Sequence, residues 1–437
     1  MTRINKAEPD GVSVKVCVET YGCTMNQGEG LDLERLISGL GYQLVPDCEE
    51  AEVAVINTCV VIRSTELKML RRMRHLRDSG KRLVVTGCMA SVMRESVLDE
   101  FPDALVVAPL DYDEFHDLFR GRFGTGSFVP VQDEGRKVTA IIPIAQGCLG
   151  SCSYCITKLA RGTLDSYPPG SVVASVRRAV EAGSAEVLLT AQDTGCYGFD
   201  IGTDLAALLG KVASVPGEFR VRVGMMNPDS LRDIIAPLAR AYQDPKVYKF
   251  LHLPVQTGSD RLLRSMGRGY SAAEFEGLVA RFRQAVPRLT LSTDVIAGFP
   301  GEGDGDHQAT KDLISKVRPN IVNVTRFSSR PGTEAAEIEG QVVSRIAKDR
   351  SRELAKLRFA VAAELNRARE GEEVGALVTE KGKEGTMIAR DDSYVPIVLR
   401  EDLALGARVK VELTGSTATH LCGRVLFSSG PGQGWVF

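Results

Sequence analysis

The most reactive side chains in this sequence are gathered in one short stretch, Gln146-Gly-Cys-Leu-Gly-Ser-Cys-Ser-Tyr-Cys155. Cys148, Cys152 and Cys155 stand in a C-x3-C-x2-C spacing. Thiolates are the usual protein ligands of iron–sulfur clusters, and a cubane [4Fe–4S] cluster presents four irons. Three thiolates leave one iron open, and an open metal position is where a small molecule binds and reacts. Gly147 and Gly150 favour a loop whose backbone can approach a bulky group. The run is shorter than a ferredoxin motif and does not end in Cys-Pro, so simple electron transfer fits it less well. The competing readings are a chance group of reduced thiols or a zinc knuckle.

A second set of thiols is scattered but patterned. Val14–Val18, Val53–Asn57 and Leu83–Thr86 read as short buried strands, and each leads into a loop holding one cysteine: Cys23, Cys59 and Cys88. Between them runs helical periodicity, as at Leu31, Leu33, Leu36, Ile37 and Leu40, closed by Gly41, after a polar loop over residues 19–27. Alternating strands and helices imply a doubly wound parallel sheet, whose ligands gather at the carboxyl ends of the strands. Topology thus brings Cys23, Cys59 and Cys88 to one rim, where they could hold a second cluster. Cys17 and Cys48 occupy no such position and read as structural thiols.

Residues 63–82 carry eight Lys and Arg against Glu66 and Asp78. Helical spacing puts Met69, Met73 and Leu76 on one face and Lys68, Arg71 and Arg74 largely opposite. This is either a solvated helix face or a surface for phosphates beside the candidate cluster. Residues 121–137 look like a linker. Beyond it, strands over 140–145, 187–190, 219–223, 250–253, 289–294 and 320–324 alternate with helical patterns. Together they predict a parallel α/β unit, a partial barrel with its chemistry at the strand C-termini. Polar groups stand at those ends: Gln192-Asp-Thr194, Asn227, Gln256 and Asp294. The glycines match neither a Rossmann nor a Walker fingerprint. A long helix over 342–370 follows, then five short strands that predict a small β-barrel. From 366 to 437 there are nine basic and ten acidic residues, so the barrel has no strong positive field.

The totals set limits. A chain of 437 residues predicts about three domains. Ten cysteines without a signal-peptide-like start argue for metal or catalysis and against a disulfide framework. No apolar run is long enough to span a membrane. A cytoplasmic enzyme is the expectation, and the net charge of −2 leaves any nucleic-acid surface to a local patch.

With both cysteine triads and the terminal barrel in view, the chain resembles the radical S-adenosylmethionine (SAM) methylthiotransferases over nearly its whole length. The resemblance implies an N-terminal methylthiotransferase domain over 13–121, a radical SAM core over 138–365 and a TRAM-like barrel over 371–428. The stretches Tyr21–Asn26, Lys158–Gly162, Gln192–Gly195 and Phe250–Gln256 are similar to the archaeal and eukaryotic branch acting on tRNA. That branch converts N6-threonylcarbamoyladenosine, next to the anticodon, to its 2-methylthio form. The resemblance implies two [4Fe–4S] clusters, one on Cys148, Cys152 and Cys155 with SAM on its open iron, the other on Cys23, Cys59 and Cys88. The first would generate a 5′-deoxyadenosyl radical that takes hydrogen from adenine C2, and the second would deliver sulfur. Tyr154, Gln192 and Asp193 are the candidate SAM contacts. Implied partners are tRNA and an electron-donor protein, with no membrane; a monomer is compatible with the sequence. Unlike animal members, the chain reaches Phe437 without a membrane anchor. The alternatives are methylthiolation of a ribosomal-protein aspartate or of isopentenyladenosine in tRNA, and a non-catalytic iron–sulfur RNA-binding module.

Overall fold

A computed structural model describes residues 14–61, 63–109, 112–124 and 137–432. The chain divides into two compact units, one of Met1–Glu134 with Leu159–Arg161, the other of Gly135–Lys158 with Gly162–Phe437.

In the first unit, strands β1 (Lys15–Thr20), β2 (Gln43–Leu44), β3 (Val53–Thr58), β4 (Arg82–Gly87) and β5 (Leu105–Val106) form one sheet in the order β2-β1-β3-β4-β5. Every pairing is parallel. β3 is buried along its whole length, as a near-continuous apolar run in a parallel sheet requires. Helices α1 (Thr24–Gly39), α2 (Arg63–Asp78), α3 (Cys88–Val92), α4 (Arg94–Glu100) and α5 (Tyr112–Phe123) alternate with the strands. Leu33 and Ile37 of α1 pack with Val16, Val53, Val55 and Val84, and with Phe115 and Phe119 of α5. Met69, Met73 and Leu76 of α2 are fully buried, as their spacing predicts.

The register carries the functional point. Thr20 stands beside Asn57, and Asn57 beside Thr86. The three strands therefore end level with one another, and the cysteine loops leave from one rim.

Three sequence expectations need correction. Helix α1 begins at Thr24, so the polar loop is shorter than its composition suggests and Cys23 becomes the N-cap residue. Once Cys23 leaves the strand, the following amides have no sheet partner. The helical ladder satisfies them instead, starting with the Gln27 amide on the Cys23 carbonyl at 3.1 Å. Gly121–Phe123 belong to α5, while residues 125–136 of the expected linker lie outside the described residues. Cys17 and Cys48 form a disulfide, with a Cα–Cα separation of 5.2 Å. Pairing of β2 alongside β1 carries the chain after Leu44 back past Cys17, which sequence separation alone conceals.

The second unit holds two parallel three-stranded sheets. One contains β6 (Thr139–Pro143), β9 (Glu186–Thr190) and β10 (Arg220–Val223), the other β11 (Phe250–His252), β12 (Thr290–Ala297) and β13 (Ile321–Arg326). A small antiparallel pair, β7 (Ala145–Gln146) and β8 (Asp165–Ser166), brackets the cysteine loop. Ile142, Val187, Leu189, Val221, Val223, Leu251, Leu291, Val295 and Val322, from all six strands, share one core, as in an open parallel barrel. Strands β14 (Glu373–Lys381), β15 (Met387–Asp391), β16 (Pro396–Leu399), β17 (Arg408–Ser416) and β18 (Leu421–Ser429) close the small terminal barrel.

Within this unit the small barrel is fixed to the open one by specific contacts. The Lys249 amide donates to the Asp392 carbonyl at 2.7 Å, and Ser393 Oγ to the Arg288 carbonyl at 2.9 Å. The Arg222 guanidinium lies over the rings of Phe250 and Tyr394 at 5.0 and 5.3 Å. Asp391, the last residue of β15, is buried. It accepts from the amides of Ser393 and Val395 at 3.0 and 2.9 Å, and its second oxygen pairs with Arg369 at 2.7 Å. Removing one partner of a buried pair costs about 3–5 kcal/mol. Asp391→Ala is expected to lose about that much of the barrel's opening free energy, read as faster hydrogen exchange of the β15 and β16 amides. Unchanged exchange there would refute the assignment.

Candidate metal centres

In the first unit, Cys23 follows β1, Cys59 follows β3 and Cys88 follows β4 directly. Cys59 and Cys88 are buried and Cys23 is exposed. Cys23 caps the N-terminus of the 16-residue α1, whose positive end favours an anionic sulfur. Two glycines permit the approach of the loops. A Cβ on Gly22 would stand 2.7 Å from Cys59 Cβ and 3.0 Å from its sulfur. One on Gly87 would collide with Asn57 Oδ1 and the Thr58 carbonyl, and both glycines have positive φ. The Arg161 guanidinium belongs to this unit. Its Nε donates to Cys88 Sγ at 3.3 Å, and its terminal nitrogens hold Glu29 in a two-point pair. Burial pushes the Cys88 thiol up to about 11, opposed by the charge of Arg161. A metal would have to displace that proton.

In the second unit, the loop of Cys148, Cys152 and Cys155 is equally prepared. Gly147 has φ 70°, and a Cβ there would collide with the Thr163 carbonyl. The Gly147 amide donates to Gln192 Oε1 at 2.8 Å, so the end of β9 fixes the start of the loop. The Gly150 amide donates to Cys148 Sγ at 3.2 Å and Arg268 Nη1 to Cys152 Sγ at 3.0 Å. Lys158 Nζ donates to the Cys148 carbonyl. Amide and guanidinium donors aimed at sulfur suit charged thiolates and fit an anionic iron–sulfur cluster. Among the described residues, no three acidic, histidine or cysteine side chains converge as a single metal ion needs. A cubane takes its thiolates from separate corners, so that spread is compatible with a cluster.

Of the candidate SAM contacts, Tyr154 is half-buried, with its ring edge-on to Phe299 at 6.4 Å. Asp193 is buried and its oxygens are engaged, Oδ1 by the amides of Gly195 and Asn227 at 2.9 Å each and Oδ2 by Ser230 Oγ at 2.7 Å. It shapes the strand-end loop. At the other strand ends, His252 Nε2 lies 3.1 Å from both Asp294 oxygens, and Asn323 Nδ2 donates to Asp294 at 2.7 Å.

Sequence reading missed three groups. Arg268 stands in no stretch the sequence singles out and Arg161 only within Lys158–Gly162, and their contacts alone reveal what they do. Cys196 is fully buried, with its sulfur 3.2 Å from the Asp193 carbonyl. Its hydrogen bond with Cys148 draws the Cys148 thiol below its usual value and pushes its own up. Its place two residues after a strand-end Asp-Thr was the available signal.

Comparison with known proteins agrees with this layout. Residues 15–108 match "Uncharacterized protein family UPF0004", 142–314 the radical SAM superfamily and 367–426 the TRAM domain. A probable threonylcarbamoyladenosine tRNA methylthiotransferase of Pyrococcus abyssi is 41% identical, over 94% of this chain and 100% of the relative. This chain belongs to the threonylcarbamoyladenosine tRNA methylthiotransferase family. A Drosophila melanogaster member is 33% identical, over 94% of this chain and 78% of its own length. In fold alone, the chain resembles TsrM of Kitasatospora setae, a radical SAM methyltransferase. The TM-score is 0.55 at 13% identity, over 74% of this chain and 77% of that one. Membership of the radical SAM superfamily implies a [4Fe–4S] cluster and SAM. Among the described residues, no helix is long and apolar enough to cross a membrane.

The Gly147 geometry makes a prediction for methylthiotransferases of this sequence. Gly147→Ala must move the loop, and Gln192→Ala removes the bond that seats it. Both are expected to lower iron in the reconstituted protein by up to about four per chain, one cubane's worth. Colorimetric iron and sulfide assays check this, and a full complement in Gly147→Ala would refute it.

Proposed function

We propose that this chain methylthiolates tRNA, converting N6-threonylcarbamoyladenosine next to the anticodon to its 2-methylthio derivative. The observation that carries the reading is the coincidence of three strand ends at Cys23, Cys59 and Cys88 in a chain that also has the radical SAM loop. One thiol triad suffices for SAM cleavage; a second, separate triad is what sulfur insertion requires.

In this reading Cys148, Cys152 and Cys155 hold one [4Fe–4S] cluster, and Cys23, Cys59 and Cys88 a second. With SAM bound, the first would supply one-electron cleavage of SAM, chemistry suited to a C–H bond without an acidic proton. The second would supply the sulfur, and a further SAM the methyl group. The protein's own groups position and charge-balance these sites. Gln192 seats the central loop, Arg268 offsets the charge on Cys152, and Asp193 caps the short turn that carries Cys196. Tyr154 and Gln192 border the space for SAM, and Asp193 reaches that space through the loop it holds. The enzyme works in the cytoplasm on tRNA and takes its electrons from a protein donor.

Two measurements test the reading. Anaerobically reconstituted protein is expected to hold about eight irons per chain and Cys23→Ala about four. Equal iron in the two would remove the second cluster. Nucleosides from tRNA of cells lacking the gene are expected to lose the 2-methylthio-threonylcarbamoyl species on mass spectrometry. If that species persists while the isopentenyladenosine derivative or the ribosomal-protein modification disappears, the substrate is the other one. Absence of SAM cleavage under reduction would favour a binding module.

A further inference from the structure

The first unit contains one side chain that touches the surroundings of all three N-terminal cysteines. Asn26, in the first turn of α1, is 1% exposed. Its Nδ2 donates to the Tyr21 carbonyl at 2.9 Å and to the Thr58 carbonyl at 2.7 Å. Tyr21 precedes Cys23 by two residues, and Thr58 immediately precedes Cys59. Its Oδ1 faces Cys23 Sγ at 3.4 Å and Arg161 Nη2 at 3.4 Å, and Arg161 donates to Cys88. Its backbone carbonyl accepts from Asn57 Nδ2 at 2.8 Å. The Oδ1 of Asn57 is buried, has no hydrogen-bond partner among the described residues and faces Gly87, the residue before Cys88.

A carboxamide with two donors and an acceptor can make these contacts only in one orientation. Aspartate has the same shape but no donor, and would set an oxygen against two carbonyl oxygens. Alanine would take this donor away from both carbonyls, the one at Tyr21 half-buried and the one at Thr58 buried.

We propose that Asn26 is a positioning residue for the N-terminal three-thiol site, fixing the Cys23 and Cys59 loops directly and Cys88 through Arg161. The proposal rests on the reading of Cys23, Cys59 and Cys88 as cluster ligands. It adds that their geometry is set before any cluster binds, by a side chain that ligates nothing.

The test uses the full chain with Cys148, Cys152 and Cys155 all replaced by alanine, so that iron reports the N-terminal site alone. After anaerobic reconstitution this background is expected to hold about four irons per chain. If it holds none, the second-cluster reading fails and Asn26 has no such site to position. If it holds about four, Asn26→Ala and Asn26→Asp are compared in it by iron content and by the electron paramagnetic resonance spectrum of the reduced cluster. The expected result is a loss of at least half the iron, with a shifted spectrum for what remains. A shifted spectrum separates a positioning role from a loss of folded protein. If Asn26→Ala is not recovered in soluble form, the isosteric Asn26→Asp decides. Either variant holding the same four irons with an unchanged spectrum overturns the proposal.

Discussion

Loops that converge on one point bring their backbone carbonyls with them, and those carbonyls need donors once water is excluded. This constraint governs the N-terminal unit. The carbonyls of Tyr21 and Thr58 come together at the rim, and a single carboxamide from Asn26 satisfies both. The Thr58 hydroxyl accepts from the Met89 amide at 3.1 Å, tying the start of α3 to the same place. The thiols therefore stand on a hydrogen-bonded frame. Glycine is needed where that frame is tightest, at Gly22 and Gly87.

The second unit solves the same problem with different parts. Its three thiols lie on one loop, so the difficulty is charge more than convergence. Thiolates on one short loop repel, and their partial burial removes some of the water that would screen them. The Gly150 amide and the Arg268 guanidinium offset that repulsion at fixed distances. Arg268 is itself held by Tyr270 OH at 2.9 Å, so its charge cannot swing away. Both units thus place a guanidinium donor at sulfur, Arg161 at Cys88 in the first and Arg268 at Cys152 in the second.

Much of this was legible in the sequence. The β-branched runs gave β3 and β4 nearly to the residue, and the terminal barrel has the five strands that alternation predicts. Both triads could be read because cysteine is rare enough for its spacing to carry meaning. What could not be read depends on chain segments meeting that are distant in sequence. Asn26 looked like one more polar loop residue, and its role exists only because residue 58 comes to it. Cys17 and Cys48 looked like unrelated buried thiols until β2 paired with β1. Asp193 illustrates the converse. Its position at a strand end was read correctly, but its carboxylate turns inward to the backbone.

Helix α2 is rich in arginine, yet most of its charge is already committed. Arg72 pairs with Glu19 and Glu49, Arg74 with Glu100, Arg77 with Asp78 and Arg63 with Glu66. Lys68 and Arg71, exposed on its outer face, have no carboxylate partner among the described residues. Polyanion affinity grows by releasing condensed counterions, at a cost to the log–log salt slope of about 0.7–0.9 per phosphate neutralised. A helix whose guanidiniums are bound to its own protein's acids releases few of them. Its contribution to RNA association would be shallow in salt, closer to two phosphates' worth than to that of its full basic count, so discrimination would have to come from shape and base contacts.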